Sequence, residues 1–263
     1  MKDVGNNIRY YGASPNNYIY FNCSNYSNQS SSTCETWRII GVFDGKIKLI
    51  RNESIGEYSW DNKNVSTGAE NDYGKNDWTD ARLMKLLNPG YESKTTGGSL
   101  YYNAKSGNCY SGQSNATKAC NFTSTGIKNA TTRNLISDTI YYLGGHNSFS
   151  VYPNQIYEKE RGTTVYSGRP NVGKSSQNLN NYNNSTCTSN NWMKAIVAPN
   201  YGWLLTPRSG IASNVWYVYS SGGVYYNSYV YNAYGVAPVL FLNSDANVKS
   251  GTGTSSDPYQ ISV

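Results

Sequence analysis

Few residues in this chain have the type and spacing that enzyme chemistry requires. The single histidine, His146, follows Gly144-Gly145 and is a candidate general base, although a histidine in such a position is more often part of a turn. The 16 carboxylates leave a glycosidase pair open, but Glu158 and Glu160 are too close in sequence to face each other across a substrate. The sequence also contains no Gly-x-Ser-x-Gly nucleophile elbow. We therefore predict no catalytic residues, and the chain is not expected to be an enzyme.

Four of the five cysteines are spaced as two short loops. Cys23 and Cys34 enclose ten mostly polar residues, and so do Cys109 and Cys120. This spacing predicts the disulfides Cys23–Cys34 and Cys109–Cys120 and an extracellular or cell-surface location, with reduced cytosolic thiols as the alternative. Cys187 is left over, either free or paired with another chain. Because the chain has no Cys-x-x-Cys pair and one histidine, we predict no metal site and no cofactor.

The most informative stretch is residues 207–236, which read PRSGIASNVWYVYSSGGVYYNSYVYNAYGV. Seven tyrosines fall between positions 217 and 234, where the average composition of the chain would place about two, and Arg208 is the one charged residue. Tyrosine supplies rigid amphipathic contact area, while serine, glycine and asparagine supply adaptable hydrogen bonds, so this composition is typical of binding surfaces. An ordinary aromatic-rich antiparallel sheet is the alternative, because tyrosine and valine are also good strand formers.

The same stretch matches the residues that adenine-targeted mutagenesis can produce. Random change of the first two bases of an AAC or AAT codon never gives Lys, Glu, Gln, Met or Trp. Of the thirty residues 207–236, Trp216 alone lies outside the set that such changes can give. This pattern favours a diversified binding surface over an ordinary sheet.

Short strands and two main helices are predicted to position this stretch. Residues 37–50 predict a β-hairpin around the turn sequence Asp44-Gly45. One helix is predicted over residues 77–87, capped by Asp77, and a second over residues 127–143. This order indicates one α+β domain over residues 1–263, beginning with a polar amino-terminal extension over residues 1–34. A short further helix around 192–196 and strands over 203–205, 215–219, 224–231, 236–242 and 259–263 complete the prediction.

Composition and charge exclude several other classes of protein. Charged residues make up 14% of the chain, against about 25% in typical domains, and the 22 Lys and Arg are scattered, so we predict no nucleic-acid partner. No apolar run approaches the roughly 18 residues that a membrane helix needs. Met1-Lys2-Asp3 leads directly into polar sequence without a secretory signal, and a mature or truncated form of the protein is therefore expected.

Several motifs together resemble a known family. They read WRIIGVFDGKIKLIRNES, NDWTDARLMKLLNPGY, YEKERG, WLLTPRSG and SSGGVYYNSYVYNAYGVAPVLFL. Over most of residues 15–263, this arrangement resembles surface proteins of gut Firmicutes, several of which carry a pilin-like amino-terminal helix. Their carboxy-terminal part is similar to the C-type lectin fold, in the subgroup that resembles formylglycine-generating enzymes. The variable proteins of diversity-generating retroelements use this fold.

The resemblance implies an invariant scaffold that displays a variable patch and binds a ligand without catalysis. In this chain the patch would be residues 208–232, within ligand-displaying strands over residues 203–242. The implied partner is a protein or glycan ligand at the cell surface, and a pilus or membrane anchor would lie in a segment outside this sequence. Ser175 stands about where related chains would have a partner cysteine for Cys187.

Within the patch, strand alternation places Val215, Tyr217 and Tyr219 on one face and Trp216 and Val218 on the other. A surface that changes partners cannot also hold the core, because core substitutions commonly cost about 2–5 kcal/mol. The predicted core residues are Trp37, Ile39, Leu83, Leu86, Trp203, Leu205, Val239 and Phe241. The predicted ligand-binding residues, which should be largely exposed on one surface, are Arg208, Ile211, Asn214, Tyr217, Tyr219, Tyr226, Asn227, Tyr229 and Asn232.

A second function fits the same residues. In a carbohydrate-binding module the patch tyrosines, together with Trp60 or Trp216, would stack on sugar rings. The sequence leaves this alternative open.

Overall fold

Antiparallel β-sheets dominate the computed structural model of this chain, with a few short helices. The structure describes residues 7–63, 73–78, 81–89, 97–112, 117–139, 185–197, 200–208 and 211–263. Over these residues the protein is α+β or mainly β.

Ten of the described strands form two five-stranded sheets, and four more form two small hairpins. The first sheet contains β1 (Ile8–Arg9), β2 (Tyr18–Phe21), β3 (Glu35–Phe43), β4 (Lys46–Arg51) and β12 (Val239–Phe241). The second sheet contains β10 (Val224–Tyr229), β9 (Asn214–Tyr219), β8 (Tyr201–Pro207), β11 (Ala233–Gly235) and β5 (Glu57–Ser59), in that spatial order. The small hairpins pair β6 (Ser106–Cys109) with β7 (Lys118–Asn121) and β13 (Asn247–Ser250) with β14 (Gln260–Ser262). The helices are α1 (Arg82–Leu87), α2 (Ala130–Leu135), α3 (Ser185–Ser189) and α4 (Lys194–Val197).

The hairpin predicted around Asp44-Gly45 forms the middle of the first sheet and is confirmed. β3 and β4 pair antiparallel, with Phe43 opposite Lys46. Asp44 has φ 50° and Gly45 has φ 76°. Two consecutive residues with positive φ are what a type I′ turn requires, and Asp-Gly is one of the sequences that allows them.

The segment predicted as a polar extension contributes a strand to the first sheet. β2 pairs antiparallel with β3, with Ile19 opposite Trp37, and both Ile19 and Phe21 are fully buried. The Phe21 ring contacts the Trp37 ring edge-on at a centroid distance of 5.2 Å. Two buried side chains are enough to fix this strand, although the surrounding composition is polar.

The first predicted helix is shorter than its sequence pattern suggested. α1 begins at Arg82, and its N-cap residue Ala81 makes no side-chain capping hydrogen bond, so the prediction that Asp77 caps the helix is wrong. The neighbouring Asn76 instead donates its side-chain N–H to the carbonyls of Ile211 (3.1 Å) and Asn214 (2.7 Å). These long-range bonds hold the chain before α1 against the second sheet.

The second predicted helix begins close to the expected residue and ends early. α2 starts after Asn129, whose side chain accepts a hydrogen bond from the Thr132 amide at 2.8 Å. It ends at Leu135, because Ile136 forms an antiparallel bridge with Leu242 and the Ser137 amide donates to a β12 carbonyl at 2.8 Å. Residues 140–143 of the predicted helix lie outside the described residues.

The carboxy-terminal strands follow the prediction closely. β9 and β10 form the predicted hairpin with its turn at residues 220–223, and β8 extends the predicted strand 203–205 in both directions. Of the run predicted as one strand over 236–242, only Val239–Phe241 forms a strand, β12 of the first sheet, and residues 236–238 connect it to β11 of the second sheet. Pro238, which lacks an N–H group, lies at the crossing.

The predicted core is confirmed for five residues and partly for three. Two main clusters of buried side chains lie against the two sheets. Trp203, Leu205 and Val239 are partly buried and pack against buried clusters. The five buried residues are Trp37, Ile39, Leu83, Leu86 and Phe241.

Both predicted disulfides are present. Cys23 is bonded to Cys34, and Cys109 of β6 is bonded to Cys120 of β7. The two bonds are consistent with an extracellular location. Within the described portion of the chain, none of the helices has the length and apolar character needed to cross a membrane.

Several residues named by the sequence analysis, Glu158 and Glu160 among them, fall where the structure gives no description. His146 and Ser175 lie outside the described residues. Cys187 lies in α3, but its side chain is also outside the description, so its state stays a prediction.

Candidate functional site

Five tyrosine rings gather on one face of the second sheet, and we call them the tyrosine cluster. Strand register brings them together, because Tyr201 of β8 lies opposite Tyr219 and Tyr225 of β10 lies opposite Tyr217. Ring centroids are 4.8 Å apart for Tyr201–Tyr219 and 4.5 Å apart for Tyr219–Tyr225. Tyr234, just after the hairpin, completes the cluster with its ring 5.3 Å from that of Tyr217.

The hydroxyl groups of the cluster are linked to each other and to an amide. The Tyr217 hydroxyl lies 3.2 Å from that of Tyr219 and donates to Oδ1 of Asn227 at 3.3 Å. Burial, with smaller contributions from Tyr219, raises the pKa of Tyr217 well above its ordinary value. Burial also raises the pKa of Tyr234, against hydrogen bonds with Ser228 and Asn232 that lower it. Tyr217 and Tyr234 therefore stay neutral and are able both to donate and to accept hydrogen bonds.

Exposure within the tyrosine cluster increases from its centre to its rim. Tyr217 is 6% exposed, whereas Tyr201 and Tyr225 are 38% and 36% exposed. Tyr217 lies on β9, which has β8 on one side and β10 on the other, while β10 ends the described sheet. The rim tyrosines can contact a ligand, and the central tyrosine supports them.

A second group of patch residues lies on the opposite side of β9. Trp216 alternates with Tyr217 along the strand, and its ring contacts the Tyr226 ring at a centroid distance of 5.7 Å. The guanidinium carbon of Arg208 lies 4.8 Å from the centroid of the same Tyr226 ring. Burial lowers the pKa of Arg208, against smaller opposing contributions from Tyr226 and Tyr229. We call Arg208, Trp216 and Tyr226 the arginine site.

A third group of tyrosines lies at the far end of β10. Tyr229 is stacked on Tyr73 at a centroid distance of 4.7 Å and on Tyr231 at 5.4 Å, with interplanar angles of 15° and 10°. Tyr73 and Tyr229 are 36% and 38% exposed. This tyrosine stack of Tyr73, Tyr229 and Tyr231 presents near-parallel aromatic faces at the surface.

The nine predicted binding residues therefore do not form one exposed group. The prediction that Asn214 and Tyr217 are largely exposed is wrong, because both are buried. The Asn214 backbone and side chain are engaged with Asn76, Arg208 and Ser213. Ile211, Asn227 and Tyr229 are exposed, and the remaining residues, Arg208, Tyr219, Tyr226 and Asn232, are partly exposed.

A β-bulge explains how the patch divides. The register of β10 against β9 shifts between Tyr225 and Ser228, which inserts one extra residue into β10. Tyr226 therefore reaches Trp216, while Asn227 reaches Tyr217 on the other side of the sheet. The sequence pattern of alternation carries no sign of this shift.

Sequence reasoning missed five tyrosines that the structure brings to these groups. Tyr225, Tyr231 and Tyr234 lie in the tyrosine-rich stretch itself, so the composition of that stretch was a signal that could have identified them. Tyr201 lies two residues before Trp203, and strand alternation places the two on one face. Tyr73 is distant in sequence, and no local pattern indicates its contact with Tyr229. The full set is Tyr73, Tyr201, Tyr225, Tyr231 and Tyr234.

One catalytic motif also escaped the sequence analysis. Residues 168–175 read GRPNVGKS and match the spacing of a phosphate-binding loop, G-x-x-x-x-G-K-[ST]. A functional loop of this kind follows a strand and opens a helix. Residues 176–186 read SQNLNNYNNST, which lacks the apolar periodicity of such a helix. The segment lies outside the described residues.

The other chemistry of the described residues is limited. Among them, no three His, Cys, Asp or Glu side chains are grouped to hold a metal ion. Comparison of the chain with family models, with curated proteins and with solved structures gave no match. The three aromatic groups are therefore the features of the described residues that can indicate a function.

Proposed function

We propose that this chain is a cell-surface binding protein that displays a diversified, tyrosine-rich surface and does not act as an enzyme. The observation that carries the proposal is the tyrosine cluster, whose exposed rim offers aromatic area and hydroxyl groups that can form hydrogen bonds. Tyrosine is enriched in binding surfaces because its large ring has few rotatable bonds and its hydroxyl bonds to either donors or acceptors.

The composition of residues 207–236 supports diversification of this surface. All of them except Trp216 can arise by changing the first two bases of AAC or AAT codons. Trp216 is buried, so the residue that mutagenesis of this kind cannot produce lies in the interior rather than at the surface. We propose that the chain is the target of a diversity-generating retroelement.

The fold proposed for this function is the C-type lectin fold, in the subgroup similar to formylglycine-generating enzymes. Two mostly antiparallel sheets, with one parallel pairing between β8 and β11, and the short helices α1 and α2 are compatible with it. A single domain is supported by contacts between the two ends of the chain, since the Tyr20 amide donates to the Tyr259 carbonyl and the Tyr259 amide donates to the Tyr18 carbonyl, both at 2.9 Å. The two disulfides support an extracellular site of action.

The proposal is tested first in the DNA beside the gene. A near-repeat of the segment that encodes residues 207–236, next to a reverse transcriptase gene, is the expected finding. Identical coding sequences for this segment across many isolates, with no such repeat, would contradict diversification.

A library experiment tests whether the surface tolerates diversity. Codons randomised to NNY at the exposed or partly exposed positions Tyr219, Tyr225 and Asn227 should leave most variants folded, as measured by protease resistance on a display host. The matched library randomises Val215, Tyr217 and Val218, which are buried residues of β9. Most of its members should be degraded. Equal survival of the two libraries would remove the structural basis of the proposal.

The tyrosine stack favours a second function, a carbohydrate-binding module. Its three near-parallel rings, two of them more than one-third exposed, offer flat apolar faces to sugar rings. Trp60 and Trp216 cannot serve in this way, because they are 1% and 6% exposed. On a glycan array, binding to one class of polysaccharide that Tyr229→Ala abolishes and Tyr11→Ala retains would favour this function. Tyr11 is a suitable control, since it is 61% exposed and lies outside the patch.

A further inference from the structure

The arginine site holds the one charged side chain of residues 207–236 in a fixed position. The Arg208 amide donates to the Asn214 carbonyl at 3.0 Å, and the guanidinium carbon lies 4.8 Å from the Tyr226 ring centroid. The cation–π contact orients the guanidinium but does not neutralise its charge. In the part of the chain that the structure describes, no carboxylate contributes to the electrostatics of Arg208.

Two buried N–H groups at this site have no hydrogen-bond acceptor among the described residues. They are Nε of Arg208 and Nε1 of Trp216, and both side chains contact Tyr226. Trp216 is 6% exposed. A buried donor without a partner has lost its hydrogen bonds to water and gained none in return, so an acceptor that reaches both groups would gain more than it would at the open surface.

We propose that the arginine site binds the carboxylate of an acidic sugar of the uronic acid class. The two carboxylate oxygens would accept from Arg208 Nε–H and Trp216 Nε1–H, and the negative charge would neutralise the guanidinium. The partly exposed Tyr226 covers the site, so its side chain has to turn aside as the sugar enters. The proposal deepens the proposed binding function and rests on it for the presence of a ligand at this surface.

The surroundings of the site favour an acidic sugar over other anions. A single cation matches the single charge of a uronate, whereas a phosphate dianion or a run of acidic side chains would be left partly unneutralised. The Tyr226 ring lies against Arg208 and Trp216, and once its side chain has turned aside it can lie against a sugar ring instead. A carboxylate flanked by an apolar ring face is complementary to this arrangement.

The test uses the indole N–H signals of the full chain in a nitrogen–proton correlation spectrum. The chain has 6 tryptophans, and Trp216→Phe identifies the Trp216 signal by its disappearance. Sodium glucuronate should move this signal downfield in a saturable manner, and glucose at the same concentration should not. Unchanged positions of the other indole signals show that each variant is folded.

Substitution of the arginine separates the proposal from general binding. Arg208→Gln should weaken the glucuronate response at least about tenfold, because it removes a charge-assisted hydrogen bond. Arg208→Lys should restore little of it, since lysine lacks the fixed Nε–H. Arg9→Gln is the matched control, because Arg9 also lies over an aromatic ring, at 4.6 Å from the Phe43 centroid, but in the first sheet. It should bind as the wild type does.

Absence of a glucuronate response would overturn the inference, and so would each of three other results. They are an equal response to glucose, an unchanged response in Arg208→Gln, and tighter binding of N-acetyl-aspartate amide, which would assign the site to acidic peptides. A neutral ligand bound at the tyrosine cluster, with no glucuronate response, would refute the arginine site and leave the proposed function intact. A glucuronate response without any retroelement beside the gene would support the arginine site and contradict the proposed diversification.

Discussion

The two five-stranded sheets use aromatic side chains in different ways. In the first sheet, Phe21 and Trp37 are fully buried and meet edge-on at 5.2 Å. In the second sheet, tyrosine rings extend from the buried Tyr217 to Tyr201 and Tyr225, which are more than one-third exposed. Aromatic residues thus stabilise the first sheet by burial, whereas in the second sheet the same class of residue also forms surface.

A similar difference separates two neighbouring strands of one hairpin. Residues 214–218 of β9 are all buried. In β10, by contrast, Ser228 is buried, the other five residues are exposed or partly exposed, and the strand carries a bulge. The two strands have similar compositions. Position in the sheet, rather than residue type, therefore decides which tyrosines are exposed.

The largest expected effect is in the first sheet. Trp37→Ala should lower the free energy of unfolding by about 3–5 kcal/mol, a large share of a typical total of about 5–15 kcal/mol. The reason is that Trp37 is fully buried and its ring packs on Phe21. Urea denaturation measures the change, with Tyr11→Ala as an exposed aromatic control. Similar losses for the two variants would show that the first sheet does not depend on its buried rings.

A comparison within the tyrosine cluster sharpens the contrast between β9 and β10. Tyr217→Ala should cost about 3 kcal/mol, because it empties a buried site and leaves the Tyr219 hydroxyl with one partner fewer. Tyr225→Ala, opposite it on β10, should cost less than about 1 kcal/mol. Denaturation midpoints of both variants give the comparison. A larger loss for Tyr225→Ala would reverse our assignment of centre and rim.

The disulfides should contribute comparably in the two regions that they close. Replacing Cys23 and Cys34, or Cys109 and Cys120, by serine should cost about 2–3 kcal/mol per pair, because each bond closes a loop of similar length. Thiol titration of unreduced protein should find one free thiol, from Cys187, or none if it joins two chains. Five free thiols would exclude both bonds and the extracellular location.

Removing two surface tyrosines together should change stability little. Tyr229 is 38% exposed and Tyr226 is partly exposed, so Tyr226→Ala with Tyr229→Ala should lower the free energy of unfolding by about 1 kcal/mol or less. Ligand binding should weaken more than stability does, because aromatic anchors can contribute about 2 kcal/mol or more each. If the double variant unfolds at room temperature, these tyrosines belong to the core and the binding-surface proposal fails for this end of β10.

At neutral pH the smallest expected effect is that of Tyr10, whose contribution to stability should be lost only at alkaline pH. Burial and a hydrogen bond with Tyr259 raise the pKa of Tyr10 from 10.0 to about 12. Below pH 10 the phenol is neutral in both states, so its contribution is fully present, and it is lost as pH rises from 10 to 12 because the unfolded chain ionises first. Tyr10→Phe should therefore flatten the decline between pH 10 and 12 in thermal denaturation, and Tyr11→Phe should not.

Local signals were sufficient for much of the fold. The Asp44-Gly45 turn, the β9–β10 hairpin and the two disulfides follow from sequence patterns that act over a few residues. Helix limits were less accurate. α1 starts late because long-range hydrogen bonds from Asn76 hold the preceding chain, and α2 ends early because residues 136–137 run beside β12.

The sequence by itself determined that this protein has a tyrosine-rich carboxy-terminal hairpin, in a stretch whose single charge is Arg208, because composition and turn chemistry are properties of the chain. The tertiary structure alone decided which of those tyrosines are surface. β8 and β10 flank β9, the bulge sends Tyr226 and Asn227 to opposite sides, and Tyr73 arrives from a distant segment to stack on Tyr229. The physical reason is that the exposure of a side chain depends on which strands lie beside its own. Contacts between residues that are far apart in the sequence determine which strands become neighbours.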